Sequence, residues 1–343
     1  MASISKTPSG TYAVSYRANG KQFKRTFKDR KSAIRFRDVV GTSPDVKATR
    51  VNVAALLEAY RDERTVLKRG ARSESLRLTA LTKRAFAQVR LDRLTQRDLQ
   101  AFVDERCKEV APATVLREID TLSAVFNWAK EKEFIPTSPT KGLRLPKAPE
   151  HRERVASDED IEKLLLASGW DGETPPTNNM QTVIAAFIFS CRTGMRAGEI
   201  LQIEDAWIDD CIIHLPAEIT KTASKRDVAL GRDALRILGL VREAKGSDLF
   251  QMDTRLRDAL FRKVRDRAGL GPVLDSHGNV IKEGLHFHDG RATFATWAAS
   301  PDPETGVPRL DVMALARQTG HKDLKMLMRY YRATAQEIAK RLK

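Results

Sequence analysis

The stretch "TVIAAFIFSCRTGMRAGEI", Thr182–Ile200, decides how the second half of this 343-residue chain is built. Its first ten residues are nearly all apolar and read as a helix; the pattern then breaks at Thr193-Gly194 and leaves Arg196 just beyond the break. Upstream, "SDED" from Ser157 suits the cap of a helix continuing "IEKLLLAS", so a cooperative unit begins near Ser157. Downstream, alternation in "WIDDCIIHLPAEITKTASKRDVAL" predicts strands, with Lys221 in or beside the turn between two of them. From "LHFHDGRATFATWAAS" onward the pattern returns to helices, and no internal repeat or low-complexity tract interrupts the chain.

Towards the amino end, about a hundred residues have helical periodicity. In "ATVLREIDTLSAVFNWAKEKEF" the positions Val115, Ile119, Leu122 and Phe126 share one apolar face, and "TQRD" at Thr95–Asp98 has the form of a capping box before Leu99, Phe102 and Val103. The Pro-rich, basic "IPTSPTKGLRLPKAPEHRER" after it reads as an exposed connection, and "GTSPDVKATR", residues 41–50, as a linker before it. Further back, "GTYAVSYRANGKQFKRTF" alternates on either side of Asn19-Gly20, which suits a tight hairpin turn, and "DRKSAIRFRDVV" predicts a helix offering Ala33, Ile34, Phe36 and Val40 for packing.

Composition narrows the class. With 41% hydrophobic and 31% charged residues the chain can bury a core in two or three domains, and the absence of a long apolar run or an apolar leader predicts a soluble, cytoplasmic protein. Cys107, Cys191 and Cys211 match neither a disulfide framework nor a zinc site and are read as reduced and structural. A formal net charge of +15 favours a polyanionic partner. Residues 1–40 hold ten basic and two acidic side chains, so over half the excess sits there, and Arg17, Lys21, Lys24 and Arg25 on the basic sheet are the candidate DNA contacts.

Two further boxes accompany Arg196: "HDGR", His288–Arg291, opening a helix that includes Phe294 and Trp297, and "GHKDLKMLMRYYR", Gly320–Arg332. Together they hold what transfer of a phosphodiester to a protein nucleophile needs. A phenol has a pKa of about 10, so its proton must leave as it attacks, and the charge that builds on phosphorus oxygens must be neutralised in place. Arginine forks suit that task, a helix amino end adds a favourable dipole, a lysine can protonate the departing oxygen, and histidines can donate to phosphate or relay a proton. Of the two tyrosines, a helix through Leu324, Leu327, Met328 and Tyr331 would use Tyr331 for packing and turn Tyr330 away. A metal site using His286 and His288 has no carboxylate or cysteine cluster to complete it.

The motifs "TGMRAGE", "TKTASK", "HDGRATFAT" and "TGHKDLKMLMRYY", in this order, resemble those of the tyrosine recombinase, or phage integrase, family of lambda type, and "TLSAVFNWAKEKEFI" resembles its core-binding domain. The resemblance runs from about residue 51 to the end. It implies a mainly α, multidomain chain: a small basic sheet plus helix at 1–45 that resembles an arm-binding domain, an all-helical core-binding domain at 51–148, and a mixed, mostly helical catalytic domain at 155–343. It implies Arg196 and Arg291 as a phosphate clamp, Lys221 as general acid with Lys225 as the alternative, His288 and His321 as the two histidine positions, Glu199 as a supporting carboxylate, and Tyr330, nine residues after His321, as nucleophile. No cofactor or metal is required. The implied partners are double-stranded DNA with core and arm sites, three further copies of the chain at a synapse, and accessory bending or directionality factors near the nucleoid. The tail "RATAQEIAKRLK" is expected to dock on a neighbouring protomer. Gly290 and Ala292 depart from the family pattern and are expected to loosen local packing. The activity implied is integration and excision of a phage or genomic island, with a resolvase or invertase, a type IB topoisomerase, or an inactive DNA-binding architectural factor as alternatives.

Overall fold

The computed structural model describes residues 3–18, 21–40, 51–149, 152, 154–221, 223–278 and 280–331. The fold is mainly helical with small antiparallel sheets, and it divides into two compact units, Met1–His151 and Arg152–Lys343.

In the first unit, β1 (Ser3–Lys6), β2 (Tyr12–Ala18) and β3 (Lys21–Phe27) form an antiparallel sheet in sequence order. The β2–β3 register runs from Tyr12 opposite Phe27 to Ala18 opposite Lys21, which leaves only the dipeptide Asn19-Gly20 between the strands; that dipeptide lies outside the described residues. Helix α1 (Arg30–Val40) covers the sheet, burying Ala33 and Phe36 against Val14 and Phe27. Ile34 is only half-buried, and the Val40 side chain lies outside what is described.

Helices α2 (Val53–Glu63), α3 (Ala71–Leu81), α4 (Ala85–Gln88), α5 (Gln96–Glu109) and α6 (Pro112–Glu131) share a core that includes Leu56, Leu57, Leu99, Phe102 and Trp128. The α5 start is fixed as its sequence requires: the Thr95 hydroxyl accepts from the Asp98 N–H, and the Asp98 carboxylate accepts from the Thr95 N–H. Pro112 opens α6, where its missing N–H costs nothing, and the expected face of Val115, Ile119, Leu122 and Phe126 is buried.

The second unit is wrapped around α8 (Asn179–Thr193), which is buried on nearly every side and packs against α7 (Asp158–Ser168), α10 (Arg232–Lys245), α11 (Thr254–Arg267) and α12 (Asp289–Ala299). Ser157 and Asp160 form the expected cap of α7. Short α9 (Ala197–Ile200) leads to a sheet of β4 (Ile208–Asp209), β5 (Ile212–Leu215) and β6 (Arg226–Ala229); β7 (Val273–Leu274) and β8 (Val280–Lys282) make a separate hairpin. The chain then runs through α12, α13 (Val312–Thr319) and the one-turn α14 (Lys325–Met328).

Three expectations need correction. The connecting segment does not simply hang in solvent: Arg152 reaches both oxygens of buried Asp289 at 2.8 and 2.7 Å and also bonds Glu283 and the Gly284 carbonyl, while Ala156 N–H donates to Thr293 Oγ1. Gly290 does not loosen α12. It is where α12 comes closest to α8, since a Cβ there would sit 3.2 Å from Cys191 Sγ and from the Phe187 carbonyl. Of the three free cysteines only Cys191 is buried, where burial pushes its thiol up to about 12; Cys107 and Cys211 are exposed. Among the described residues, no helix is long and apolar enough to cross a membrane.

Candidate active site

Two helices end in the same way on one side of the second unit. Gly194 closes α8 and Gly320 closes α13, both in the left-handed region (φ +69° and +70°), and each turn presents carbonyls that no helical N–H occupies. Arginines fill these positions. Arg291 donates to the Gly194 carbonyl at 2.6 Å, Arg196 to the Gly320 carbonyl at 3.3 Å, and Arg226 to the Thr319 carbonyl at 2.6 Å. A Cβ at Gly194 would stand 2.5 Å from the Phe294 ring, and one at Gly320 would stand 2.2 Å from Arg226 Nη1, so both turns require glycine for space as well as for φ.

Glu199 is the one carboxylate among these cations. Its Oε1 accepts from Arg196 Nη1 at 2.9 Å, and its Oε2 accepts from the Arg196 N–H at 2.9 Å and from Arg226 Nη2 at 2.5 Å. Burial opposes its charge, but Arg226 and Arg196 together hold it below the usual carboxylate range. Three guanidiniums against one carboxylate leave a surplus of two positive charges. The surplus shows in Arg291, which burial and then the like charges of Arg196 and Arg226 pull down to about 9, so that it is still a cation at neutral pH.

His321 follows the Gly320 turn. Thr319 Oγ1 donates to the Leu315 carbonyl and lies 2.7 Å from His321 Nδ1, so Nδ1 carries the ring proton and donates to that hydroxyl. Nε2 is left as an acceptor 3.2 Å from Arg291 Nη2. Burial, with Arg291, Arg196 and Arg226 next, lowers His321 to about 4, so the ring is neutral at pH 7. His288 stands at the start of α12 as an exposed residue, and the protein packed around it, then Arg291, lowers it below its ordinary value. Lys221 adds to that effect from the loop between β5 and β6, which Thr220 ties down through its hydroxyl to the Ser224 carbonyl at 2.8 Å. Lys221 and Lys225 are both exposed, and His286 lies outside the cluster with its N–H on Asp289. Among the described residues no group of His, Cys, Asp and Glu could hold a metal ion.

The expected apolar stripe before the tyrosines is only half present. Leu327 is buried, but Leu324 and Met328 are exposed, because α14 stops after Met328 and the chain tightens: Tyr330 N–H bonds the Leu327 carbonyl and Tyr331 N–H the Met328 carbonyl. Both rings pack partly against the cluster of Phe294, Ala298 and Leu315. Their hydroxyls differ. Tyr331 donates to the Leu310 carbonyl at 2.8 Å, whereas the Tyr330 phenol, raised by burial, feels the opposing charges of Arg329 and Arg291.

Arg226 was passed over in the sequence as one basic residue among many. The signal that finds it is strand parity: Arg226 and Val228 fall on the same face of β6, Val228 is fully buried, and the arginine is carried inward with it. In the first unit Lys24 is exposed, Arg25 is committed to the Asp62 carbonyl at 2.6 Å and to Glu63, with its guanidinium 5.2 Å from the Phe36 ring centre, and the side chains of Arg17 and Lys21 lie outside what is described. The tail from residue 332 is likewise outside the described residues.

Such a cluster, cationic beyond its own neutralisation and set beside a phenol, is suited to holding a phosphodiester. Residues 173–337 match the model of the phage integrase family. A Haemophilus influenzae protein described as an integrase/recombinase is 35% identical over 292 residues, covering 82% of this chain and 73% of that protein, and an Escherichia coli shufflon-specific DNA recombinase is 28% identical over 310 residues, 87% of this chain and 73% of that one. The fold is similar to that of a lambda integrase dimer bound to a core site, with a TM-score of 0.64 and 20% identity over 96% of this chain and 94% of that one. The chain belongs to the phage integrase family and is a tyrosine-type site-specific DNA recombinase.

Proposed function

We propose that this enzyme integrates and excises a mobile element, such as a phage or genomic island, by cleaving and rejoining DNA through Tyr330. The Tyr330 oxygen attacks the scissile phosphorus, the bond to O5′ breaks, and the products are a 3′-phosphotyrosyl link and a 5′-hydroxyl. Arg196 and Arg291 grip the non-bridging oxygens, and the surplus of positive charge at Glu199 is matched to the extra negative charge of the five-coordinate state. Neutral His288 accepts the phenol proton, His321 faces the phosphate, and Lys221 supplies the proton that O5′ needs. Attack by the 5′-hydroxyl of a partner strand reverses the step, so the phosphotyrosyl bond conserves the energy and neither nucleotide nor metal is consumed.

The observation that carries this reading is the convergence of Arg196, Arg291, His321 and Glu199 beside a phenol whose neighbour, Tyr331, is already committed to Leu310. Residues 155–343 act as the catalytic domain, 51–148 as the core-binding domain, and 1–45 as an arm-type domain in which Lys24, Arg17 and Lys21 face DNA while Arg25 braces the sheet. The basic sheet supports integration over simple resolution or inversion, since it offers a second DNA contact. Four copies meet at the synapse, and accessory factors set direction.

Covalent trapping tests this on nicked DNA from the ends of the element that carries the gene. Wild type and Tyr331→Phe should give a slow protein–DNA band on a denaturing gel, and Tyr330→Phe should give none. A band retained by Tyr330→Phe, or absent from wild type on DNA that it binds, overturns the mechanism.

A further inference from the structure

Resting on that mechanism, we infer that Arg226 is a positioning residue of the active site, which divides the Glu199 carboxylate so that Arg196 keeps a free edge for phosphate and which fixes the turn that carries His321. Its side chain is 8% exposed, and both terminal nitrogens are committed within the chain, one to Glu199 Oε2 and one to the Thr319 carbonyl. Glu199, 2% exposed, therefore meets Arg196 through Oε1 from the guanidinium and through Oε2 only from the backbone N–H. Without Arg226, Oε2 would be free to draw in the second nitrogen of Arg196, and the preferred fork-to-fork pairing would turn a phosphate clamp into a closed ion pair.

The same guanidinium ties three pieces of chain that arrive from distant parts of the sequence. It grows from β6, at the end of the loop that holds Lys221; it grips α9 through Glu199; and it grips the end of α13 one residue before Gly320 and two before His321. Gly320 has no side chain at the point where Arg226 passes, a Cβ there being 2.2 Å from Nη1 and 3.0 Å from Cδ. The fit is therefore built from both sides. A lysine in place of Arg226 keeps the charge but reaches only one of the two acceptors.

The test measures single-turnover covalent adduct formation at saturating DNA, beside DNA affinity, for wild type, Arg226→Ala, Arg226→Lys and Arg196→Ala. Each is assayed on ordinary DNA and on DNA whose scissile phosphate is a neutral methylphosphonate. Arg226→Ala should cleave at least about ten-fold more slowly with affinity within about two-fold, and Arg226→Lys should fall between it and wild type. The neutral linkage should narrow the deficit of Arg196→Ala, whose task is charge neutralisation, and at least part of that of Arg226→Ala, which acts through Arg196. An Arg226→Ala deficit that stays undiminished on methylphosphonate would mean that Arg226 does not act through Arg196, and overturns the positioning role. Wild type that cleaves beside an Arg226→Ala that cleaves equally overturns this assignment alone; wild type that forms no adduct overturns the mechanism and this assignment with it. Should Arg226→Ala lose its helical circular dichroism, Arg226→Lys decides, and cleavage at the wild-type rate sinks the proposal.

Discussion

Arg106 in the first unit and Arg226 in the second are both buried against a glutamate, but the charges around the first are matched and those around the second are not. Arg106 meets Glu118 through two bonds, at 2.9 and 2.6 Å, and also pairs with Glu109, which Arg84 meets as well, so two cations match two carboxylates and Arg106 is held above its ordinary pKa, by Glu118 most of all. Around Glu199 stand three guanidiniums, of which Arg196 and Arg226 bond its carboxylate, and burial followed by like charge lowers Arg291, as burial lowers Arg226. The first network is complete as it stands. The second is short of negative charge, and the proposed mechanism has an incoming phosphate bring it.

Removing one arginine from each network separates the two cases. Arg106→Ala leaves Glu118 buried without its partner and should cost about 3–5 kcal/mol of stability in chemical denaturation, with adduct formation on saturating DNA unchanged where the protein is folded. Arg196→Ala should lower adduct formation by about 10²–10³-fold, or about 2.7–4 kcal/mol of activation free energy, and shift the denaturation midpoint far less, because Glu199 keeps Arg226. Equal losses of stability in the two variants would erase the distinction between a closed network and an open one.

The smallest effect concerns protons. Burial and then Arg291 lower His321 to about 4, and Arg291 Nη2 lies 3.2 Å from Nε2 and 3.4 Å from Nδ1, so donation from Nε2 to a phosphate would require a proton on that nitrogen. DNA must then raise the His321 pKa, and binding takes up a proton. Affinity measured at fixed salt should therefore rise as pH falls from 7 towards 5, by less than about ten-fold per pH unit for one coupled group. The slope should shrink in a His321→Gln variant, and a flat wild-type profile would remove this imidazole from the phosphate.

Much of the architecture could be read from local pattern. The α6 face from Val115 to Phe126, the caps at Thr95 and Ser157, and the break at Gly194 each depend on residues a few positions apart, and all are present in the fold. What escaped was decided by contacts between distant segments. Arg226 meets Thr319 across 93 positions and Arg152 meets Asp289 across 137, and neither partnership leaves a periodic trace. The stripe before the tyrosines misled because a helix was extended past Met328, where the chain instead closes in tighter turns. Gly290 misled because a missing side chain was read as a gap, while α8 already fills the space.

The Arg152 latch has a mechanical side. A pull along the chain from its amino end would load the Asp289 carboxylate before it reached the hydrophobic core, because Arg152 grips both of that carboxylate's oxygens. Asp289 lies between His288 and Arg291 in the first turn of α12, so the strain would be felt within one residue of the imidazole and two of the guanidinium. The tether thus ends on the helix turn that carries Arg291 and follows His288.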